Sequence, residues 1–420
     1  MAGEGPSDRR AAAGAAARSG RRVSLAAPSG PALADSRELV RRIGAEIDAA
    51  GGWIGFDRYM QRALYEPGIG YYTGPNRVFG AEGDFVTAPE MSSLFGRCIA
   101  AQCAQWLGED DEIVEFGAGS GALAAQVLSA LRDAGTLPRS YAIVELSATL
   151  RERQRGTIAA AGGELLARVR WVDELPERIE GVVLANEVLD AMPVRVFRRA
   201  GDKVFERGVT RLGDDALGWA ERAADERLAS KVLDRLREAG DECAGLPSDE
   251  AGAVPENYVS ELGEQAEAWV ATVGSRLVRG AMLLVDYGFP RREFYHPQRD
   301  LGTLRCHFRH RAHDDPFLWP GLQDITAHVD FTGIAQAGAD AGLDVLGFAS
   351  QARFLLDCGL LDACAAIPRD DLRAWTLETQ AVQRLLSEAE MGELFKAIAL
   401  GRGVSDDAIG FRTRDRRASL

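Results

Sequence analysis

Lysine, paired cysteines and long apolar runs are all scarce in this sequence, and each shortage excludes a class of protein. Lys and Arg together number 49, but only Lys203, Lys231 and Lys396 are lysines, which leaves 46 arginines. With abundant Ala and Gly, that bias reads as the imprint of a GC-rich genome rather than of a function. No apolar run reaches the roughly 18 residues of a membrane-spanning helix. The six cysteines (Cys98, Cys103, Cys243, Cys306, Cys358, Cys364) form no C-x-x-C pair, which fits reduced structural thiols in a reducing compartment. Excess basic charge is also missing. The net charge is -14, which argues against a general nucleic-acid binder and suits a cationic partner. What is present is ordinary for a globular protein: 46% hydrophobic residues over 420 positions, enough for one large α/β domain with insertions.

Residues 1–34 stand apart as an Ala-, Gly-, Ser- and Arg-rich leader. Its five arginines (Arg9, Arg10, Arg18, Arg21, Arg22) oppose only Glu4 and Asp8. It has no apolar h-region, so it is not a secretory signal; a disordered bacterial leader is expected, with a mitochondrial transit peptide as the alternative. Residues 35–108 read as an N-terminal helical and loop region containing the Tyr- and Gly-rich stretch Tyr65 to Gly74. An alternation then begins. EIVEF (112–116), YAIVEL (141–146), RVRWV (168–172) and GVVLAN (181–186) read as strands, with helices predicted at 122–131 and 148–160. Strands alternating with helices predict a doubly wound parallel sheet covered on both faces. Residues 109–193 form its first half. Residues 194–260 look like an antiparallel and helical insertion. Residues 261–350 hold the second half with a lid, including a helix stopped by Gly280 and the strand AMLLVDYG (281–288). Residues 351–420 read as mainly helical.

In such a sheet, ligands bind beyond the carboxyl ends of the strands where the order reverses. The first strand runs into Glu115-Phe116-Gly117-Ala118-Gly119-Ser120-Gly121, whose glycines allow a tight turn and close approach of a ligand. A dinucleotide could use the same loop. Glu115, two residues before the first glycine, would repel a diphosphate but can face the ammonium of S-adenosylmethionine. Glu145, at the end of the second strand, is placed to accept from ribose hydroxyls, a role common to both cofactors; the plain alternative is a solvated strand end. The fourth strand ends in Asn186, read as an N-cap. Glu187 and Asp190 are then expected in the first turn of a helix with both carboxylates on one face. They are either charges that favour the helix dipole or a double carboxylate that grips a guanidinium.

The segments GDFVTAPEMSSLFG, EFGAGSGALAAQVL, VELSATLRERQ, ANEVLDAMPV, LLVDYGF, DITAHVDFT and EMGELFKAIALGRG occur in this order along the chain. In that order they resemble the MidA-type methyltransferases, the family of the mitochondrial complex I assembly arginine methyltransferase, from about Ser36 to Gly403. The resemblance implies a Rossmann-like class I methyltransferase sheet. It also implies S-adenosyl-L-methionine as cofactor, held at the Gly117 loop and Glu145; Glu115, Gly117, Ala118, Gly119, Gly121 and Asn186 are the further cofactor-binding candidates, and Glu187 and Asp190 the candidate catalytic pair. The motifs further nominate Gly83, Asp84, Phe85, Thr87, Glu90, Asp286, Tyr287 and His328 for the substrate pocket. The implied reaction is symmetric dimethylation of a protein arginine, in the mitochondrial member on a complex I subunit. The sequence departs from its relatives in the loop GAGSG, where Pro and Arg or Asn are common, and in DAMPV instead of DALPV. Both departures are mild for cofactor binding and leave the substrate open.

All five histidines lie between His296 and His328. The run His307, His310, His313 beside Cys306 invites a metal site, but its spacing is poor for a helix and its arginines repel a cation, so a lid is expected and no metal. The competing readings are a small-molecule methyltransferase, a catalytically weak cofactor-binding assembly factor and a dinucleotide oxidoreductase. The expected partner is a protein presenting an arginine, not nucleic acid. The expected compartment is the bacterial cytoplasm, or else the mitochondrial matrix, and a homodimer is the association state to test.

Overall fold

A computed structural model describes residues 25, 27–74, 87–241, 257–367 and 369–420. The first helix, α1, spans Gly30–Ala49, starting ahead of the folded boundary read near Asp35, and α2 spans Phe56–Tyr65. Next comes α3 (Ser93–Trp106), capped by Ser92, whose Oγ accepts from the Leu94 N–H at 3.1 Å. The sheet then begins with β1 (Glu112–Phe116), α4 (Ala122–Asp133), β2 (Ser140–Val144), α5 (Ala148–Ala161), β3 (Val169–Val172) and β4 (Ile179–Asn186). The insertion supplies β5 (Arg195–Ala200), β6 (Lys203–Arg211), β7 (Leu217–Ala223), α6 (Glu226–Asp241) and β8 (Asn257–Leu262). After α7 (Glu264–Arg276) come β9 (Leu277–Phe289), α8 (Phe331–Asp340), β10 (Asp344–Ser350), α9 (Leu372–Leu386) and β11 (Phe395–Arg402). Among the described residues no helix is long and apolar enough to cross a membrane.

The central sheet has the order β10-β11-β9-β4-β1-β2-β3, and the short strand Val329–Asp330 also pairs with β9. β1 to β4 and β9 run parallel, while β11 is antiparallel to both β9 and β10. Side chains alternate between two cores, as the pleat demands. Val182, Leu184, Leu283 and Ala397 enter one; Val183, Met282, Leu284 and Ile398 enter the other. After β3 the chain returns to the far side of β1 to form β4, so the order reverses between β1 and β4. Phe116 lies opposite Ala185, which brings the Gly117 loop and Asn186 side by side at that reversal.

Three sequence readings change. No helix follows Asn186: residues 187–193 form a turn, and Glu187 adopts φ 53°, a left-handed conformation costly for a non-glycine residue. The helix-dipole account of Glu187 and Asp190 falls with it, and so does the N-cap role of Asn186. Gly280 does not stop a helix, because α7 ends at Arg276; it sits in β9 opposite Gly181, where a Cβ would come 1.7 Å from the Gly181 carbonyl oxygen. The C-terminal region contains a fully embedded strand, β11. Its short apolar run FKAIALGR has no local feature to separate strand from helix.

The insertion forms a separate antiparallel sheet joined by Ile54–Gly55. Its β8 carries buried Glu261, whose carboxylate accepts from the backbone N–H groups of Thr303 and Leu304, fixing the lid to the insertion. The segment read as a lid is a three-stranded sheet of Arg305–Phe308, Arg311–His313 and Asp324–Thr326.

Candidate active site

A cavity of about 820 Å³ opens at the reversal between β1 and β4, within the size range of small-molecule sites. Gly117, Gly119 and Gly121 all have positive φ (66°, 52° and 85°), which is why the loop needs glycine. A Cβ on Gly117 would stand 2.5 Å from Val188 Cγ2, and one on Gly121 would stand 2.9 Å from the Gln154 backbone. The loop therefore threads between α5 and the 187–191 turn, with Ala118 and Gly119 lining the cavity. Gln154, fully buried, latches this half together. Its Nε2 donates to the Gly119 carbonyl (3.1 Å) and to Glu145 (3.2 Å), and its Oε1 accepts from Trp171 Nε1. Glu145 also accepts from the Ser147 N–H at 2.8 Å, which orients its carboxylate at the cavity wall. Leu146, 76% exposed, supplies an apolar rim beside it. Gln154 belongs to the segment VELSATLRERQ, but only the fold shows that it spans the loop and the acid.

Glu115 is 1% exposed and accepts from the Tyr141 hydroxyl at 2.8 Å; burial pushes its carboxyl up to about 7. Thr87 and Glu90 also line the cavity, and Glu90 accepts from Ser120 of the glycine loop. Gly83, Asp84 and Phe85 lie outside the described residues.

The opposite half is acidic and aromatic. Asp286, at 1% exposure, accepts through Oδ2 from the N–H groups of Val188 (3.1 Å), Leu189 (2.9 Å) and Asp190 (3.3 Å). Its Oδ1 accepts from the Tyr287 N–H. Glu187 N–H donates to the Val285 carbonyl at 2.9 Å, so β9 holds the turn along its length and keeps Glu187 left-handed. Burial pushes Glu187 up to about 7 and Asp190 up to about 6, the neighbouring Asp190 charge adding to the shift of Glu187. Burial, with the Asp190 and Glu187 charges, raises Asp286 as well, against the pull of its backbone donors. Asn186 Nδ2 donates to Glu187 at 3.0 Å. Among the described residues, Asn186 Oδ1, Asp190 Oδ1 and the Tyr287 hydroxyl are buried without a hydrogen-bond partner. Tyr287 stands close enough to stabilise the Asp190 carboxylate, though without hydrogen-bond geometry.

His328 is not part of this wall. It packs edge-on against Tyr287 at 5.3 Å without lining the cavity, and burial lowers its imidazole to about 3. His307, His310 and His313 sit on or beside the lid hairpin and do not line the cavity, while Cys306 points into the core. Reading from sequence missed Tyr65, Tyr72 and Asp324, which do line it. Tyr65 and Tyr72 stack at 5.5 Å; the Tyr65 hydroxyl donates to the Ala191 carbonyl and that of Tyr72 to Asp324 Oδ1, each at 3.0 Å. The unusual tyrosine density of residues 65–74 was the available signal.

A doubly wound sheet with this crevice at its reversal is a nucleotide-cofactor fold, and comparison with known proteins makes it an S-adenosylmethionine-dependent methyltransferase. A family model described as "Putative S-adenosyl-L-methionine-dependent methyltransferase" matches residues 96–349. The chain belongs to this family. It is 49% identical to a Burkholderia thailandensis protein whose crystal structure holds S-adenosyl-homocysteine; the match covers 94% of this chain and 100% of that one, with a TM-score of 0.87. Among curated proteins, it is 26% identical to the Danio rerio "Protein arginine methyltransferase NDUFAF7, mitochondrial", over 86% of each chain. The Mus musculus protein of the same name is 28% identical, over 86% of this chain and 84% of that one.

Proposed function

We propose that this chain transfers the S-adenosylmethionine methyl group to an arginine guanidinium presented by a protein. The observation that carries the reading is the paired carboxyls Glu187 and Asp190 on a strained turn, walled by tyrosines and adjoining the glycine loop. The relatives named as protein arginine methyltransferases support the same acceptor.

The residues present fit the cofactor. The positive φ of Gly117, Gly119 and Gly121 lets the loop turn tightly at the cavity, and Glu145, held at the wall by the Ser147 N–H, is assigned to the ribose hydroxyls. Leu146 would offer an apolar platform for the base, and Glu115 is assigned to the ammonium. Bound there, S-adenosylmethionine supplies an electrophilic methyl open to in-line displacement. The chain's own residues do the rest. A guanidinium delocalises its lone pairs, so Glu187 and Asp190 are assigned to grip its N–H donors and localise charge on one nitrogen. Asp286 positions both by clamping the turn. Asp190 Oδ1, buried and without a donor, is the atom assigned to take the proton released as the nitrogen is alkylated.

The test is labelling of a host extract with methyl-labelled S-adenosylmethionine and the purified protein, followed by acid hydrolysis of the labelled protein. Label in methylated arginine is expected; label in lysine, in a base-labile ester or only in small molecules would overturn the reading.

A further inference from the structure

Three segments far apart in sequence close a ring around the acceptor side of the cavity. The turn offers Asp190, the N-terminal region offers Tyr65 and Tyr72, and the lid strand Asp324–Thr326 offers Asp324. Their backbones are tied together, because the Ala327 N–H donates to the Asp190 carbonyl at 3.0 Å and the Tyr65 hydroxyl donates to the carbonyl of Ala191. Asp324 is 5% exposed, yet its carboxyl lines the cavity, held in place by the Tyr72 hydroxyl. The charges of Asp190 and Asp324 both bear on the hydroxyls of Tyr65, Tyr72 and Tyr287. Two carboxyls, one from the turn and one from the adjoining strand, therefore line one space with three tyrosines.

That arrangement discriminates by shape. A guanidinium is a planar fork with five N–H donors spread over two edges, whereas an ammonium is a compact point charge that one wall can satisfy. Glu187 and Asp190 can serve one edge only. A further acceptor on a separate segment is needed to engage the remaining donors and hold the plane, and aromatic faces favour such a flat cation. We propose that Asp324 is a specificity-determining residue: its carboxylate takes N–H donors of the acceptor guanidinium beyond those that Glu187 and Asp190 take, and so selects arginine over lysine. This rests on the arginine reading above.

The test measures binding of N-acetyl-arginine amide and N-acetyl-lysine amide by NMR to the full-length protein saturated with S-adenosyl-homocysteine. Wild type should prefer the arginine amide. Asp324→Asn should weaken arginine-amide binding about 10- to 100-fold, the loss expected for a charge-assisted contact. Lysine-amide binding should stay within about threefold, and S-adenosyl-homocysteine binding should not change. Asp324→Glu should restore part of the arginine preference. Tyr72→Phe, which keeps the packing and releases the carboxyl from its hydroxyl, should weaken arginine-amide binding about threefold or more. An arginine preference that survives unchanged in the folded variants overturns the role of Asp324 alone. A wild-type protein that prefers lysine or neither amide overturns the arginine reading itself, and this inference with it.

Discussion

The two halves of the cavity are built in opposite ways. The cofactor half comes from one stretch, Glu115 to Gln154, in which β1, the glycine loop, α4, β2 and α5 follow one another and hydrogen-bond locally. The half proposed for the acceptor is gathered from Tyr65 and Tyr72, the 187–191 turn, Asp286 and Tyr287, and Asp324. The first half is held by backbone geometry that only glycine allows; the second by a buried carboxylate clamping a strained turn. A common cofactor demands a constant cradle, while an acceptor site can be changed segment by segment without disturbing that cradle.

If the halves are this distinct, damage to one should leave the other intact. The largest effect is expected from Gly117→Val. The new side chain meets Val188 at the base of the loop and cannot easily hold φ 66°, so titration calorimetry should find S-adenosyl-homocysteine binding abolished in a folded protein. Near-normal binding would show that this loop is not the cradle. A smaller effect concerns pH. Glu187 and Asp190 hold protons below about 7 and about 6, and a protonated carboxyl grips a cation poorly, so kcat/KM for the acceptor should fall as pH drops through that range and level off above about 8. The acceptor guanidinium stays charged throughout, so it adds no slope. A flat profile from pH 6 to 8 would remove both acids from the acceptor contact. The smallest effect belongs to Glu115. Its folded pKa is raised, so the folded state holds the proton more tightly than the unfolded chain, and stability conferred by the protonated form is lost as pH rises toward 7. Glu115→Gln keeps an acceptor for Tyr141 and should gain about 2–3 kcal/mol at pH 8 in thermal unfolding without ligand. The same variant should bind S-adenosyl-homocysteine more weakly. A variant that is less stable at pH 8, or binds the ligand equally well, would contradict the placement of Glu115 against the ammonium.

Legibility in the sequence followed the same division. The strands up to Asn186 were readable because apolar runs alternated with helical spacing, and the glycines of 117–121 announced a turn at a strand end. The turn at Glu187 was not readable. Asn followed by acids is also a good helix start, and only the N–H groups taken by Asp286, 96 to 98 positions later, favour the turn instead. Asp324 and the tyrosines were hidden for the same reason, since their meeting depends on the lid folding back over the N-terminal helices. His328, nominated from its motif, packs on Tyr287 and does not line the cavity, a placement that its position in the sequence does not give. β11 escaped because its alternating sides are both buried, so no polar face marks the period.

The central claim is that Glu187 and Asp190 serve the acceptor and not the cofactor. The direct measurement is S-adenosyl-homocysteine affinity alongside single-turnover methyl transfer, on the same preparations of wild type, Glu187→Gln and Asp190→Asn, using the protein found by labelling. Affinity should stay within about threefold while transfer falls about 10²- to 10⁴-fold, because the acids act on the acceptor in the transition state. Unchanged transfer in both variants, or a loss of transfer matched by an equal loss of cofactor affinity, would contradict the account.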